Sequence, residues 1–197
     1  MVNNEQIKIL FDSVCRDEEM EAYKKLYSLL CSRLIHFSAS IVYSYHLAEE
    51  IVSDVFVMLW QKRRRLQHVN NPLVYLYVST RNLSLNSLQQ QKKHRYASLE
   101  ALDANALGVT PDAEHNLISA EVSLKIEAAI RSLPTRCQLI FRLIKLDGLK
   151  YKDVAALLDI SPKTVDAQLT IAVKKISQAI RLDLSADQVN AYYKIGQ

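Results

Sequence analysis

Apolar residues recur every three or four positions over the first ninety residues of the chain, which is the spacing of amphipathic helices. The pattern predicts helices over about residues 5–43, 47–65 and 72–93. The first of these is expected to break near Asp17, where the apolar spacing is interrupted. Asn71 is a plausible N-cap for the last one, and Pro72 suits its first turn. Helices that each have one apolar face pack against one another as a domain.

The same spacing returns in the carboxyl-terminal part of the chain. It predicts helices over residues 117–132, 135–146, 151–158 and 161–184. Thr135 is a candidate N-cap, and Asp147 with Gly148 is expected to end the helix that Thr135 begins. Residues 96–116 lack the spacing and contain a Thr-Pro-Asp turn signal, so they are expected to form a linker.

The predicted fold class is all-α, because 197 residues with only 3 glycines and 4 prolines offer few tight turns for β-hairpins. The chain divides into two helical domains, residues 5–95 and 117–184, joined by a flexible linker over residues 96–116 and followed by a tail over residues 185–197. No two glycines have the spacing of a phosphate-binding loop, which excludes nucleotide-binding enzymes of the GxGxxG and Walker A types.

No apolar run approaches the roughly 20 residues that a membrane span requires, and the first residues lack the basic and apolar segments of a secretory signal. We therefore expect a cytoplasmic protein. The 3 cysteines lie far apart and have no matched histidine spacing for zinc, so reduced thiols are expected. The residues indicate no metal, no cofactor and no catalytic group.

Charge is distributed along the chain more unevenly than the net value of +4 suggests. Residues 1–60 carry 5 basic and 9 acidic side chains, whereas residues 61–95 carry 8 basic and no acidic ones. Residues 96–120 carry 4 acidic and no basic side chains, and residues 121–197 carry 12 basic and 8 acidic ones. A basic stretch without acids that also holds tyrosines and amides favours contact with phosphates and unpaired bases. The alternative is a solvated helix face.

Residues 151–169, YKDVAALLDISPKTVDAQL, have the spacing of a helix-turn-helix motif. Ser161 and Pro162 favour the start of its second helix. That helix would present polar side chains near its N-terminus, where a major groove is read: Lys163, Thr164, Asp166 and Gln168. Asp159 stands where the turn usually has glycine, and aspartate can adopt the left-handed conformation there. The alternative is a helical hairpin of a scaffold protein.

Two stretches together resemble the extracytoplasmic-function (ECF) sigma factors of bacterial RNA polymerase. The first is AEEIVSDVFVMLWQKR at residues 48–63, followed by YLY at 75–77 and RNL at 81–83. The second is Leu133-Pro134, followed by GLKYKDVA at 148–155 and SPKTVD at 161–166. These motifs occur in this order around an acidic linker, which makes the resemblance specific. The chain is similar in particular to the short sigma factors of the Bacteroidetes.

The resemblance implies that residues 5–95 are sigma region 2. One of its helices would dock on the polymerase through Glu50, Ser53, Asp54 and Phe56. The following loop and helix would capture the melted non-template strand of the minus-10 element through Asn70, Tyr75, Arg81, Asn82 and Asn86. Basic side chains on either side would hold phosphates, namely Arg63, Arg64, Arg65, Lys92, Lys93 and Arg95.

Residues 117–184 would be sigma region 4, with its recognition helix in the major groove of the minus-35 element. The implied function is that of an alternative sigma factor, which directs core RNA polymerase to specific promoters and assists strand opening without catalysis by this chain. The implied partners are core RNA polymerase, promoter DNA and an anti-sigma factor, with no insertion into a membrane. The residues leave open a dimeric helix-turn-helix regulator that acts without core polymerase, or a helical interaction scaffold with no salt-dependent affinity for DNA.

Overall fold

The computed structural model describes the backbone of residues 4–97 and 126–183 and the side chains of residues 4–91 and 126–178. Within these ranges the protein is helical and has no β-strand, so the predicted all-α class is confirmed. The predicted linker over residues 96–116 and the tail over residues 185–197 lie almost entirely outside the described residues. None of the helices in the described part is long and apolar enough to cross a membrane.

The amino-terminal half consists of helices α1 (Asn4–Asp12), α2 (Met20–Val42), α3 (Tyr45–Lys62) and α4 (Pro72–Ala97). A π-helical turn, Ser13–Asp17, extends α1, and a short 3-10 turn, Arg63–Arg65, extends α3. The predicted break near Asp17 is confirmed, because Glu18 adopts the left-handed conformation with φ of 55°. Asn71 caps α4 as predicted: its Oδ1 accepts a hydrogen bond from the Val74 N–H at 3.3 Å.

The carboxyl-terminal half consists of α5 (described over residues 126–131), α6 (Thr135–Phe141), α7 (Tyr151–Leu158) and α8 (Pro162–Asp183). A π-helical turn, Arg142–Leu146, follows α6, and Gly148 ends this segment at φ of +73°, where the sequence predicts an end. The prediction of Thr135 as an N-cap is wrong. Pro134 holds the capping position and has no side-chain acceptor, because Thr135 is already the first helical residue.

One buried apolar cluster extends through both halves of the molecule. Its largest fully buried side chains are Ile7, Phe11, Leu26, Leu30, Leu34, Phe37, Phe56, Leu59, Leu76, Tyr77, Ile140 and Leu143. Helix α6 packs on α2 and helix α7 packs on α4, so the second half rests directly on the first. A smaller cluster between α5, α6 and α8 includes Ile130, Cys137 and Ala172.

Candidate nucleic-acid interface

One face of α3 is exposed and acidic. Glu50, Ser53 and Asp54 are exposed at helical spacing, and Val57, which is 49% exposed, lies on the next turn. No lysine or arginine occurs in α3 before Lys62. We call Glu50, Ser53, Asp54 and Val57 the acidic face. Carboxylates around a small apolar centre suit a basic partner surface.

Phe56, which the sequence assigns to the same contact, lies behind the acidic face and is only 1% exposed. Its ring packs edge-on against Tyr27 and Tyr23, with centroids 4.8 and 6.1 Å away. Tyr23 in turn packs against Trp60 at 5.2 Å. Phe56 therefore fixes the packing of α2 on α3 that holds the acidic face in place. The exposed apolar residue here is Val57, which lies within the motif at residues 48–63 but was not expected to be a contact residue.

Arg63 is built into the fold at the turn that follows α3. Its guanidinium lies over the Trp60 ring, 4.4 Å from the centroid, and donates a hydrogen bond to the Trp60 carbonyl at 2.7 Å. It also donates to a Glu18 oxygen at 2.5 Å, and its side chain is 19% exposed. A phosphate could reach this guanidinium only by displacing these partners.

Arg64 and Arg65 are exposed on the same turn. Arg64 Nε donates to the second Glu18 oxygen at 2.5 Å, yet 76% of the Arg64 side chain remains exposed. Hydrogen bonds from Arg63 and from Arg64 hold the pKa of Glu18 below its usual value, so this carboxylate remains charged between the two arginines. Arg65 and the exposed part of Arg64 are thus the groups of this turn most accessible to an external phosphate.

The outward face of α4 carries amides. Asn82 and Asn86 are exposed one turn apart, and Val78, which is 39% exposed, lies one turn before them. Asn70 is exposed in the loop that leads into this helix. We call Val78, Asn82 and Asn86 the amide face. Its amides can donate to and accept from the edges of unpaired bases.

Tyr75 and Arg81, the other predicted strand contacts on α4, are half-buried. The Tyr75 ring packs edge-on against Phe11 of α1, with centroids 6.2 Å apart, so the first helix of the chain fixes the position of this tyrosine. The backbone of α4 continues through the predicted phosphate contacts Lys92, Lys93 and Arg95, whose side chains lie outside the described residues.

The helix-turn-helix prediction is confirmed in its local geometry. Asp159 ends α7 in the left-handed conformation, with φ of 54° and ψ of 53°. Ser161 Oγ accepts a hydrogen bond from the Thr164 N–H at 3.0 Å, which caps α8. The Thr164 hydroxyl lies 2.8 Å from the same Ser161 oxygen and is half-buried. Thr164 therefore belongs to the cap more than to the outward surface.

The exposed face of α8 differs in part from the predicted set. Lys163 and Asp166 are exposed as expected, but Gln168 accepts a hydrogen bond from the Cys137 thiol of α6 at 2.9 Å and is half-buried. Exposed positions that the sequence motif did not mark follow Lys163 at helical spacing: Ala167, Thr170, Ile171 and Lys174. We call Lys163, Asp166, Ala167, Thr170, Ile171 and Lys174 the reading face. The spacing from Lys163 was the signal that could have identified them.

Across the residues that the structure describes, no three His, Cys, Asp or Glu side chains lie close enough together to hold a metal ion. The chemistry of the exposed faces is that of binding to charged and hydrogen-bonding partners.

Comparison with known proteins finds two protein families whose models match parts of this chain. Sigma-70 region 2 matches residues 23–94, and Sigma-70, region 4 matches residues 123–176. The ECF RNA polymerase sigma-E factor of Escherichia coli (strain K12) is 25% identical over 182 residues, which cover 87% of this chain and 95% of that protein. The factor of the same description from Salmonella typhimurium (strain LT2) has the same identity and coverage.

A solved structure shows a similar fold. In the co-crystal structure of the sigma factor RpoE in complex with the anti-sigma factor NepR from Bartonella quintana, the matching chain is 18% identical, with a TM-score of 0.56. The match covers 84% of this chain and 100% of that chain. We call the turn Arg63–Arg65 the basic turn. In the sequence, the first matched region contains the acidic face, the basic turn and the amide face, and the second contains the helix-turn-helix.

Proposed function

Because the chain belongs to the ECF group of sigma-70 factors, which direct core RNA polymerase to promoters as alternative sigma factors, we propose that each of three exposed faces binds a different partner during transcription initiation. The acidic face docks on the polymerase, the amide face holds the melted strand of the minus-10 element, and the reading face enters the major groove of the minus-35 element. The observation that carries the proposal is that each of these faces is solvent-exposed and has the chemistry its partner requires.

Docking of the acidic face is supported by its charge. Glu50 and Asp54 are exposed on a helix without basic residues before its last turn, and the polymerase surface it meets must therefore be basic. Val57 supplies an apolar contact at the centre, where burial contributes most to affinity. Phe56 contributes by holding α3 against α2 rather than by contacting the polymerase.

Capture of the melted strand is supported by the amide face. A base that leaves the duplex loses its stacking, which costs a few kcal/mol, and hydrogen bonds to its exposed edge offset that cost. Asn82 and Asn86 can supply such bonds from a rigid helix. The exposed arginines of the nearby basic turn, Arg64 and Arg65, would hold the backbone without sequence preference.

Recognition of the minus-35 element is supported by the reading face. Lys163 can donate to guanine, Asp166 can accept from the amino group of cytosine, and the exposed Ile171 offers an apolar contact to a thymine methyl group. Each well-formed contact of this kind discriminates against the wrong base by about 1 to 3 kcal/mol. Gln168 is directed towards Cys137 and contributes to packing instead.

We further propose that the chain is of the short type found in the Bacteroidetes, that it acts in the cytoplasm, where its polymerase and DNA partners are, and that an anti-sigma factor regulates it. The last point is supported by the fold shared with the sigma factor that was solved in complex with NepR. Its function depends on binding, and we assign no covalent chemistry to its side chains.

The test is run-off transcription with core RNA polymerase on a whole-genome template, followed by sequencing of the RNA start sites. We expect transcripts from a small set of promoters that share upstream elements, and none with core polymerase alone. A chain that is folded and bound to core polymerase yet yields no transcripts would reject the proposal. A dimeric regulator would instead bind a two-fold operator without polymerase, which the same preparation can be tested for by mobility shift.

A further inference from the structure

Glu18, at the break between α1 and α2, lies against the basic turn. Its Oε2 accepts a hydrogen bond from Arg63 Nη2 and its Oε1 accepts one from Arg64 Nε, both at 2.5 Å. One carboxylate thus bridges two guanidinium groups that are consecutive in the chain. The Glu18 side chain is 33% exposed, so this bridge lies at the surface, where an anion from outside can approach it.

The backbone of the break holds Glu18 in this position. Glu18 adopts the left-handed conformation, with φ of 55° and ψ of 31°, and its N–H donates to the Ser13 carbonyl. The π-helical turn before Glu18 packs on the basic turn. Gln67, just beyond the basic turn, donates to the Cys15 carbonyl at 3.1 Å and ties the two segments together. The fold itself therefore places the carboxylate against the two arginines.

The N–H groups that Glu18 accepts from are of the kind that binds phosphate. A guanidinium presents its donors in a planar fork, which matches the paired oxygens of a carboxylate and those of a phosphate alike. Arg63 has two contacts besides Glu18, namely the ring and the carbonyl of Trp60. The Arg63 side of the bridge would therefore stay in place if the carboxylate were absent.

Glu18 competes with phosphate for these donors because it is ionised. Hydrogen bonds from both arginines keep the pKa of Glu18 below its usual value, so its charge is present at neutral pH. An incoming phosphate can contact Arg65 and the exposed part of Arg64. The Nε edge of Arg64 and the Nη2 of Arg63 are already bonded to Glu18.

We propose that Glu18 fills, with its own carboxylate, a phosphate site between Arg63 and Arg64, and thereby limits the affinity of the chain for nucleic-acid backbone of any sequence. This inference rests on the proposed function, in which the basic turn holds the backbone of the melted strand. Phosphate contacts carry no sequence information, so Glu18 sets the strength of binding and leaves promoter choice to the amide face and the reading face. Removing its charge should strengthen binding to promoter and unrelated DNA by the same factor.

The test uses holoenzyme assembled from core polymerase and the full chain. Glu18→Gln keeps the length of the side chain and removes its charge, whereas Glu18→Ala also empties the position. Glu21→Gln is the matched control, because Glu21 is a nearby surface glutamate that pairs with Lys24 at 2.8 Å instead of with the basic turn. Circular dichroism establishes that each variant is folded. Affinity is then measured for a promoter fragment, found by start-site sequencing, and for a scrambled fragment, at several salt concentrations.

One additional phosphate contact makes the slope of log affinity against log salt steeper by about 0.7 to 0.9. The gain of both Glu18 variants over the wild type should therefore be about threefold larger at about 50 mM than at about 200 mM salt, on both fragments. Glu21→Gln should match the wild type. In an Arg64→Ala background the gain should disappear, because one of the two groups that form the site is missing, whereas a general effect of net charge would persist.

A second measurement examines the site without polymerase or DNA. Inorganic phosphate is titrated into the free chain by isothermal titration calorimetry. We expect phosphate to bind Glu18→Ala more tightly than the wild type, and the difference to be lost when Arg64→Ala is added. Equal binding by Glu18→Ala and the wild type would reject the phosphate site.

The proposal would also be overturned if neither Glu18 variant binds DNA more tightly than the wild type, if the gain survives Arg64→Ala, or if it is confined to the promoter fragment. A different result would count against the proposed function: Arg64→Ala and the wild type would bind both fragments equally at every salt concentration. In that case the phosphate titration still decides whether Glu18 fills an anion site.

Discussion

Arg63 and Arg64 are neighbours in a run of basic residues, yet the structure gives them different roles. Replacing each with alanine separates these roles. Arg63→Ala removes a guanidinium that stacks over Trp60 and donates to the Trp60 carbonyl at 2.7 Å. Arg64→Ala removes a side chain that is 76% exposed. The first should reduce stability, and the second should reduce the affinity for DNA.

The expected loss of stability in Arg63→Ala can be estimated from the contacts that Arg63 makes. A hydrogen bond from a charged donor contributes about 1.5 to 3 kcal/mol, and stacking of a partly exposed cation on an indole contributes about 0.5 to 1 kcal/mol. Among the described residues Arg63 Nε is buried without a hydrogen-bond partner, and this cost offsets part of the stabilisation. The net contribution of Arg63 to the free energy of unfolding is therefore about 2 kcal/mol. For a chain of this length, about 2 kcal/mol corresponds to a decrease in Tm of about 4 to 8 °C. Arg64→Ala should change stability by less than about 1 kcal/mol.

Thermal unfolding of the free chain checks the first expectation. The second is checked with holoenzyme assembled from core polymerase, by measuring promoter binding at several salt concentrations. Each lost phosphate contact reduces the slope of log affinity against log salt by about 0.7 to 0.9. We expect this reduction for Arg64→Ala and almost no change of slope for Arg63→Ala. If Arg63→Ala leaves Tm unchanged and lowers the slope by the full amount, the structural role assigned to Arg63 is wrong.

Three other substitutions test separate features. Ser161→Ala removes the cap of α8 and should lower the free energy of unfolding by about 1 kcal/mol, measured by urea titration. Ser161→Thr keeps a hydroxyl that can cap the helix and should retain most of the stability. Asn82→Ala should impair strand opening, monitored with permanganate, more than binding to closed duplex; equal losses in both would contradict the strand-capture role. Glu18→Gln tests pH dependence: because the pKa of Glu18 is lowered in the fold from 4.5, its pairing stabilises fully above about pH 4.5 and is lost as pH falls through the folded pKa. The difference in urea midpoint between Glu18→Gln and wild type should therefore be constant at neutral pH and disappear in acid; a constant difference at all pH values would exclude the ion pair as its cause.

The local features of this fold could be predicted from the sequence because their causes lie within a few residues. Asn71 and Ser161 cap the helices that follow them, and Asp159 adopts the left-handed turn as expected. The break near Asp17 is likewise visible as an interruption of the apolar spacing. Thr135 is the exception, since a proline directly before it has a backbone conformation suited to the capping position.

The contacts between distant parts of the chain could not be predicted in this way. Asp147 has the sequence context of a helix-ending residue, and nothing near it indicates a partner 114 positions earlier in Arg33. Phe56 and Gln168 occur within motifs, but whether a side chain on a helix points outward depends on what packs beside it. The periodicity of a helix gives the spacing of a face, and the neighbouring helices decide which face is covered.

Trp60 is the single tryptophan of the chain. It lies in the sequence between the acidic face and the basic turn, and its ring contacts both Tyr23 and Arg63. Its fluorescence is therefore an intrinsic optical reporter for this corner of the molecule. Binding of polymerase to the acidic face and binding of a nucleic-acid backbone to the basic turn should each change the fluorescence of Trp60. Both binding reactions can therefore be titrated with the unmodified protein and without a label.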